Sequence, residues 1–160
     1  MKVEYVGPFV DGAINVLTTL LGKTPERGKL SARPQLFTSQ QVNVVCGVAG
    51  VIEGQVIYGM SVQTADKVAS GMIGQTIITF DALAASAIAE LGNMISGHSV
   101  TALASAGFPC DITPPTIIRG NNVKISTMNV PALVIPIKIE GLGEIEITIC
   151  LREKAARIAA

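Results

Sequence analysis

The chain has 160 residues, 49% of them apolar and only 15% charged, with 12 basic side chains balanced by 12 acidic ones. That balance excludes an intrinsically disordered chain, and the lack of a basic surplus argues against a nucleic-acid partner. The length suits a single domain over residues 1–160, able to bury most of its apolar surface, and a neutral, apolar chain favours burying some of it against another subunit.

No segment reaches the roughly 18 consecutive apolar residues of a spanning helix. The opening MKVEYVGPFVDG lacks the apolar core and cleavage site of a signal peptide, so a cytoplasmic protein without membrane contact is expected. Cys46, Cys110 and Cys150 are widely spaced and fall outside any Cys-x-x-Cys pattern. They read as buried thiols of a reducing compartment, neither a disulfide frame nor a metal site. His98 is the sole histidine, which disfavours a Cys–His enzyme.

In chain order, Val6, Phe9, Val10, Ala13, Leu17, Leu20 and Leu21 recur near helical spacing and predict a helix over 6–21 that stops at Gly22. Thr24-Pro25-Glu26-Arg27-Gly28 reads as a polar loop. QVNVVCGVAGVIEGQVIYGMSV then supplies two runs rich in Val and Ile, expected as strands joined by a turn at Glu53-Gly54. Thr64 is a candidate cap for a short helix ending near Gly71 or Gly74.

The second half repeats the order. A helix is predicted from about 81 to 106, followed by the proline-containing connection GFPCDITPPT. Strand candidates follow at NVKISTMN, ALVIPIKIE and GEIEITICL, the last two joined by a turn at Glu140-Gly141-Leu142-Gly143. The closing REKAARIAA corresponds to the short helix of the first half. The expected fold is therefore α+β: two pseudo-repeated halves, with two long helices packed on one face of a largely antiparallel β-sheet. A doubly wound parallel sheet would need a helix between successive strands, and the hairpins argue against it.

Within the second helix, SAIAELGNMISG places Ser86, Glu90, Asn93 and Gly97 at i, i+4, i+7 and i+11, on one stripe. Leu83, Ala87, Ile88, Leu91, Met94 and Ile95 form the predicted core face. Gly92 and Gly97 each cost such a helix about 1 kcal/mol relative to alanine. Two explanations stand open: close packing against another element on the core side, or the approach of something large on the outer side. A Glu and an Asn on an exposed helix are also, by default, merely solvated, and Ser86 and His98 read as ordinary surface residues. GVAGVIEG lacks the Lys-Ser/Thr of a phosphate-binding loop.

SAIAELGNMISG followed by GFPCDITPPT resembles the CheX branch of the CheC/CheX/FliY phosphatases of bacterial chemotaxis, and the resemblance extends over nearly the whole chain. It implies a phosphatase that hydrolyses the phosphoaspartate of a CheY-like response regulator. Glu90 and Asn93 would be the catalytic pair, Glu90 pairing with the regulator's active-site lysine and Asn93 orienting the attacking water. Ser86, Gly92 and Gly97 would belong to the partner-binding face, while Pro114 and Pro115 take structural roles. The resemblance implies no metal of the chain's own, Mg²⁺ being held by the regulator, and a homodimer formed by edge-to-edge sheet pairing. Some relatives carry a second Glu–Asn site on the first helix; here Asp11 and Asn15 stand without a Glu three before the Asn, so one site per chain is expected. The rival readings are a non-catalytic adaptor that binds a response regulator and a structural dimer module.

Overall fold

The computed structural model describes residues 2–34, 40–126 and 130–156. A 3-10 turn at Val3–Tyr5 leads into α1 (Val6–Leu21), which ends where Gly22 takes a left-handed φ of 66°. β1 (Glu26–Arg27) and β2 (Ser31–Arg33) are short, and β3 (Val42–Gly50) and β4 (Ile52–Met60) form the first hairpin. α2 (Val62–Ile73) and α3 (Ala82–Ser105) follow. The chain closes with β5 (Cys110–Ile112), β6 (Thr116–Arg119), β7 (Ala132–Ile139) and β8 (Gly143–Glu153).

All strand pairings are antiparallel, in the order β1-β7-β8-β4-β3-β5, with β2 also on β7 and β6 also on β3. Alternation along the strands sends Val42, Val44, Val56, Tyr58, Ile135, Ile137, Ile147 and Ile149 to one face, where they share a core with Phe9, Leu17, Ile88 and Leu91 of the helices. The expected α+β fold, with its long helices on one face of an antiparallel sheet, is the fold observed.

The two halves are related by exchange. Each supplies a helix, a broken short strand and a hairpin, and each broken strand pairs with the other half's hairpin: β1 and β2 lie on β7, and β5 and β6 lie on β3. Both breaks are one-residue bulges. Arg27 faces Ile137 and Ser31 faces Val134, so residues 28–30 oppose 135–136. Ile112 faces Val48 and Thr116 faces Val45, so residues 113–115 oppose 46–47. Prolines sit at both bulges because the ladder asks for no donor there. Pro136 accepts at its carbonyl from the Gly28 amide at 2.7 Å, while Thr113 exchanges bonds with Gly47, its amide donating to the Gly47 carbonyl and its hydroxyl accepting from the Gly47 amide, both at 2.9 Å.

Several local expectations are corrected. The first hairpin does not turn at Glu53-Gly54: Gly54 forms the last ladder pair with Val48, and the chain reverses around Val51. Beyond that pair the two strands part, Ala49 continuing against Asp111 of β5 and Glu53 against Arg152 of β8. Thr64 does not cap α2; Ser61 does, its hydroxyl accepting from the Thr64 amide at 3.1 Å, and Gly74 ends the helix at φ 78°. Arg152 and Glu153 of REKAARIAA extend β8, residues 154–156 have no regular structure, and 157–160 lie outside the described residues. In NVKISTMN no strand forms over the described residues 122–126, and 127–129 lie outside them.

A buried polar contact ties the sheet to α3, the Tyr58 hydroxyl and the Ser96 Oγ at 2.7 Å. Burial pushes the Tyr58 phenol well above its ordinary range, so it stays protonated. We expect Tyr58→Phe to lower the unfolding free energy by about 1–2 kcal/mol, as it strands a buried hydroxyl. The double variant Tyr58→Phe with Ser96→Ala should cost less than the sum of the single changes, as denaturant titration would show.

Candidate active site

α3 begins with Asp81, whose carboxylate accepts from the Ala84 amide at 2.8 Å. Its buried side runs Ala84, Ile88, Leu91, Gly92, Ile95, Ser96, Ser99 and Leu103. Two surfaces hold that side. Toward the sheet, a Cβ on Gly92 would lie 2.6 Å from Val44 Cγ1 and 3.3 Å from Tyr58 Cδ2. Toward α1, a Cβ on Gly12 would lie 3.0 Å from Ser99 Oγ and 3.2 Å from the Ile95 carbonyl. The Ser99 hydroxyl lies 2.7 Å from the Ile95 carbonyl and 3.2 Å from that of Pro8, sharing its proton between the helices.

The opposite side presents the predicted stripe. Ser86 and Glu90 are exposed, and Asn93 and Gly97 are half-buried. Among the described residues neither Glu90 nor Asn93 has a hydrogen-bond or ion-pair partner. Glu90 is the one acidic side chain on the 24-residue helix, and α3 carries no Lys or Arg. The pair is thus set by the backbone, with its polar atoms left for another molecule.

Gly92 is a correction. It does not belong to the partner-binding face, because at 100° per residue it lies about 200° around the helix from Glu90. Its missing side chain admits the sheet. Gly97 is the reverse case, since a Cβ there would meet nothing within 4 Å. The two glycines therefore answer to different causes, one to core packing and the other to an open outer surface. Leu83, expected in the core, is 53% exposed; it lies seven residues from Glu90, two turns along the same outward stripe. Pro114 and Pro115 stand in the β5–β6 bulge opposite Cys46 and Gly47 rather than on the stripe.

Sequence reasoning missed the supports. Tyr58, Ser96 and Ser99 carried no periodic signal, though two buried serines at i and i+3 mark where a helix meets close neighbours. On α1, Asp11 and Asn15 are exposed, but Gly12, three before Asn15, is buried against α3. A carboxylate at that position would separate the helices.

Other chemistries find little here. Burial pushes the Cys46 thiol up despite a hydrogen bond from Ser96, and burial followed by the Asp111 charge raises that of Cys110, so neither is an activated nucleophile. Among the described residues no group of three or more His, Cys, Asp or Glu could hold a metal ion, and no helix is long and apolar enough to cross a membrane. A cavity of about 460 Å³ lies on the sheet face away from the helices, lined by Glu53, Gln55, Cys150 and Arg152 among others. The Glu–Asn pair instead rides a convex helix.

The same fold occurs in a CheC-like superfamily protein from a Shewanella species, with a TM-score of 0.86 at 23% identity over 95% of this chain and 99% of that one. The sequence carries the assignment further. Residues 42–138 match the family model described as chemotaxis phosphatase CheX. The chain is 36% identical over 140 residues to the CheY-P phosphatase CheX of Thermotoga maritima, covering 87% of this chain and 90% of that protein. A chain of the CheX–CheY–BeF3–Mg²⁺ complex from Borrelia burgdorferi is also 36% identical, with a TM-score of 0.82 over 95% of this chain and all of that one. The chain belongs to the CheX family of chemotaxis phosphatases.

The glycines yield a paired prediction. Gly92→Ala should destabilise the fold by about 1–3 kcal/mol, overpacking at Val44 outweighing the gain in helix propensity. Gly97→Ala should stabilise it by up to about 1 kcal/mol, since only the propensity term applies. Thermal or denaturant unfolding of the two variants reads opposite signs.

Proposed function

We propose that this protein hydrolyses the phosphoaspartate of a CheY-like response regulator, with Asn93 orienting the attacking water and Glu90 pairing with the regulator's active-site lysine. The observation that carries this reading is the placement of Glu90 and Asn93 on one exposed stripe of α3 without partners among the described residues. A convex site suits a macromolecular substrate that brings its own cleft. The related CheX whose structure holds CheY, BeF3 and Mg²⁺ supports the choice of partner, BeF3 standing in for a phosphoryl group.

The chemistry asks little of the phosphatase. An acyl phosphate is already activated: water attacks phosphorus, the bond to the aspartate oxygen breaks, and a carboxylate and inorganic phosphate leave. The Mg²⁺ expected in the regulator supplies charge balance at the phosphoryl group. What remains is to place a water in line, and positioning of that kind is worth orders of magnitude in rate. The Asn93 amide suits this task because it can accept from or donate to water without adding negative charge beside the phosphate. A carboxylate in its place would be repelled. Glu90, seated one turn away, supplies the ionic contact that sets the register of the helix over the regulator's site.

A homodimer in the cytoplasm belongs to the same proposal. The bulges at 28–30 and 113–115 break both sheet edges, so edge pairing between copies would use only the short segments beside them.

The test is the decay of phosphorylated regulators of the source genome with and without the protein. The expected result is accelerated decay for a cognate regulator, with Asn93→Ala lowering turnover by about 100-fold or more while binding persists. Glu90→Ala should weaken both binding and turnover. Unchanged decay with every regulator would overturn the phosphatase reading. A stable complex whose phosphate lifetime ignores Asn93→Ala would make the protein an adaptor.

A further inference from the structure

Among the described residues four large apolar side chains are exposed, and two of them, Ile78 at 88% and Leu83 at 53%, flank the N-terminal end of α3. Their positions are fixed. Ile78 lies in the connection between α2 and α3, which is pinned on both sides of it. The Ile77 amide donates to Ser70 Oγ at 2.8 Å, and the Phe80 carbonyl accepts from Arg119 at 2.9 Å. The Phe80 ring is buried beneath the Arg119 guanidinium, 5.0 Å from ring centre to charge, and Asp81 caps α3 directly after it. Ile77 turns into the core while Ile78 faces solvent.

Leu83 is seven residues before Glu90 and ten before Asn93, so it stands about 10 Å and about 15 Å from them along the helix axis, on the same stripe as Glu90. A specific protein interface covers about 800 Å² on each partner, a disc about 16 Å in radius. A regulator whose phosphoaspartate sits over Asn93 therefore reaches Leu83 at the rim of that disc, and Ile78 stands five residues before Leu83 in the connection that leads into α3. On the stripe between Leu83 and Asn93, Glu90 is the single charge.

We propose that Ile78 and Leu83 form an apolar, specificity-determining flank of the regulator-docking surface, covered by an apolar patch beside the regulator's active site. This inference rests on the reading of Glu90 and Asn93 as the catalytic pair. Glu90 and Asn93 address a lysine and a phosphoryl group, features of the phosphorylated active site itself, so contacts with them discriminate poorly between one receiver domain and another. Discrimination falls to side chains that touch the partner outside its active site. Ile78 and Leu83 are placed for that, and an apolar contact there adds affinity without touching the reacting atoms.

The experiment compares steady-state dephosphorylation of the cognate regulator by the wild-type protein, by Asn93→Ala and by the double variant Ile78→Ser/Leu83→Ser, with Leu83→Met as the conservative control. The double variant should raise KM at least 10-fold and leave kcat within 2-fold, Leu83→Met should behave as wild type, and the unfolding midpoint should not fall. Asn93→Ala should show the opposite split. An unchanged KM for the double variant, while the wild type is active and Asn93→Ala is not, overturns this inference alone. A wild-type protein inactive on every regulator overturns it together with the phosphatase reading. Conversion of a dimer to a monomer by the double variant, read by light scattering, would assign the patch to a second copy of the chain and overturn it as well.

Discussion

The close seat of α3 on the sheet is the constraint on which the rest depends. At Gly92 the helix backbone comes so near β3 that even a methyl group would press on Val44. One turn on, Ser96 hydrogen-bonds Tyr58, and a further turn brings Ser99 into the contact with α1 at Gly12 and Pro8. Three small residues at successive turns let two neighbours approach from different sides, and interiors packed to crystal-like density do not allow the helix to shift by fractions of a turn. The outward stripe is consequently held by what lies beneath it. Glu90 and Asn93 need no hydrogen bonds of their own to keep their backbone positions, which leaves their polar atoms without partners among the described residues. The proposed docking into a regulator's cleft would gain from support on the buried side only, because any brace on the outer side would obstruct the partner.

That same division explains the helix's odd composition. A surface helix normally offsets its apolar stripe with a charged one, yet α3 carries a single carboxylate among 24 residues. Charged residues on the outward side would raise the cost of desolvating that face on docking. Alanine, serine and glycine keep the profile low around one carboxylate, and the helix tolerates Gly97 because length and inner packing hold it together.

How far the sequence revealed this can be read from particular elements. The long helices were legible almost to the residue, since α1 and α3 carry sustained apolar spacing and end at Gly22 and near Ala106. The β7–β8 hairpin was legible for similar reasons, with Gly141 and Gly143 both at positive φ in its turn. What escaped was whatever depends on contacts distant in sequence. β1, β2, β5 and β6 are two to four residues long, too short for any period, and exist because β7 and β3 offer them ladders. Gly54 looked like a turn residue but is a strand position at φ 146°, where the backbone of β8 comes close. The outward placement of Glu90 and Asn93 on one stripe was legible from helical spacing, whereas the burial of Gly92 depended on Val44, nearly fifty positions away.

The exchange of broken strands between halves makes the scaffold nearly symmetric, so it is the packing between helices that makes the chemistry asymmetric. α1 and α3 occupy corresponding places, each beside a hairpin of the sheet. Where the two helices cross, the contact consumes a face of each. On α1 the consumed face includes Gly12, the position where a carboxylate would have to stand to pair with Asn15. On α3 it includes Ile95 and Ser99, which leaves Glu90 and Asn93 clear. The close helix crossing that steadies the α3 stripe is thus the same contact that denies α1 a second one. A carboxylate at Gly12 would force a wider helix crossing and break the clamp that the Ser99 hydroxyl makes between Ile95 and Pro8.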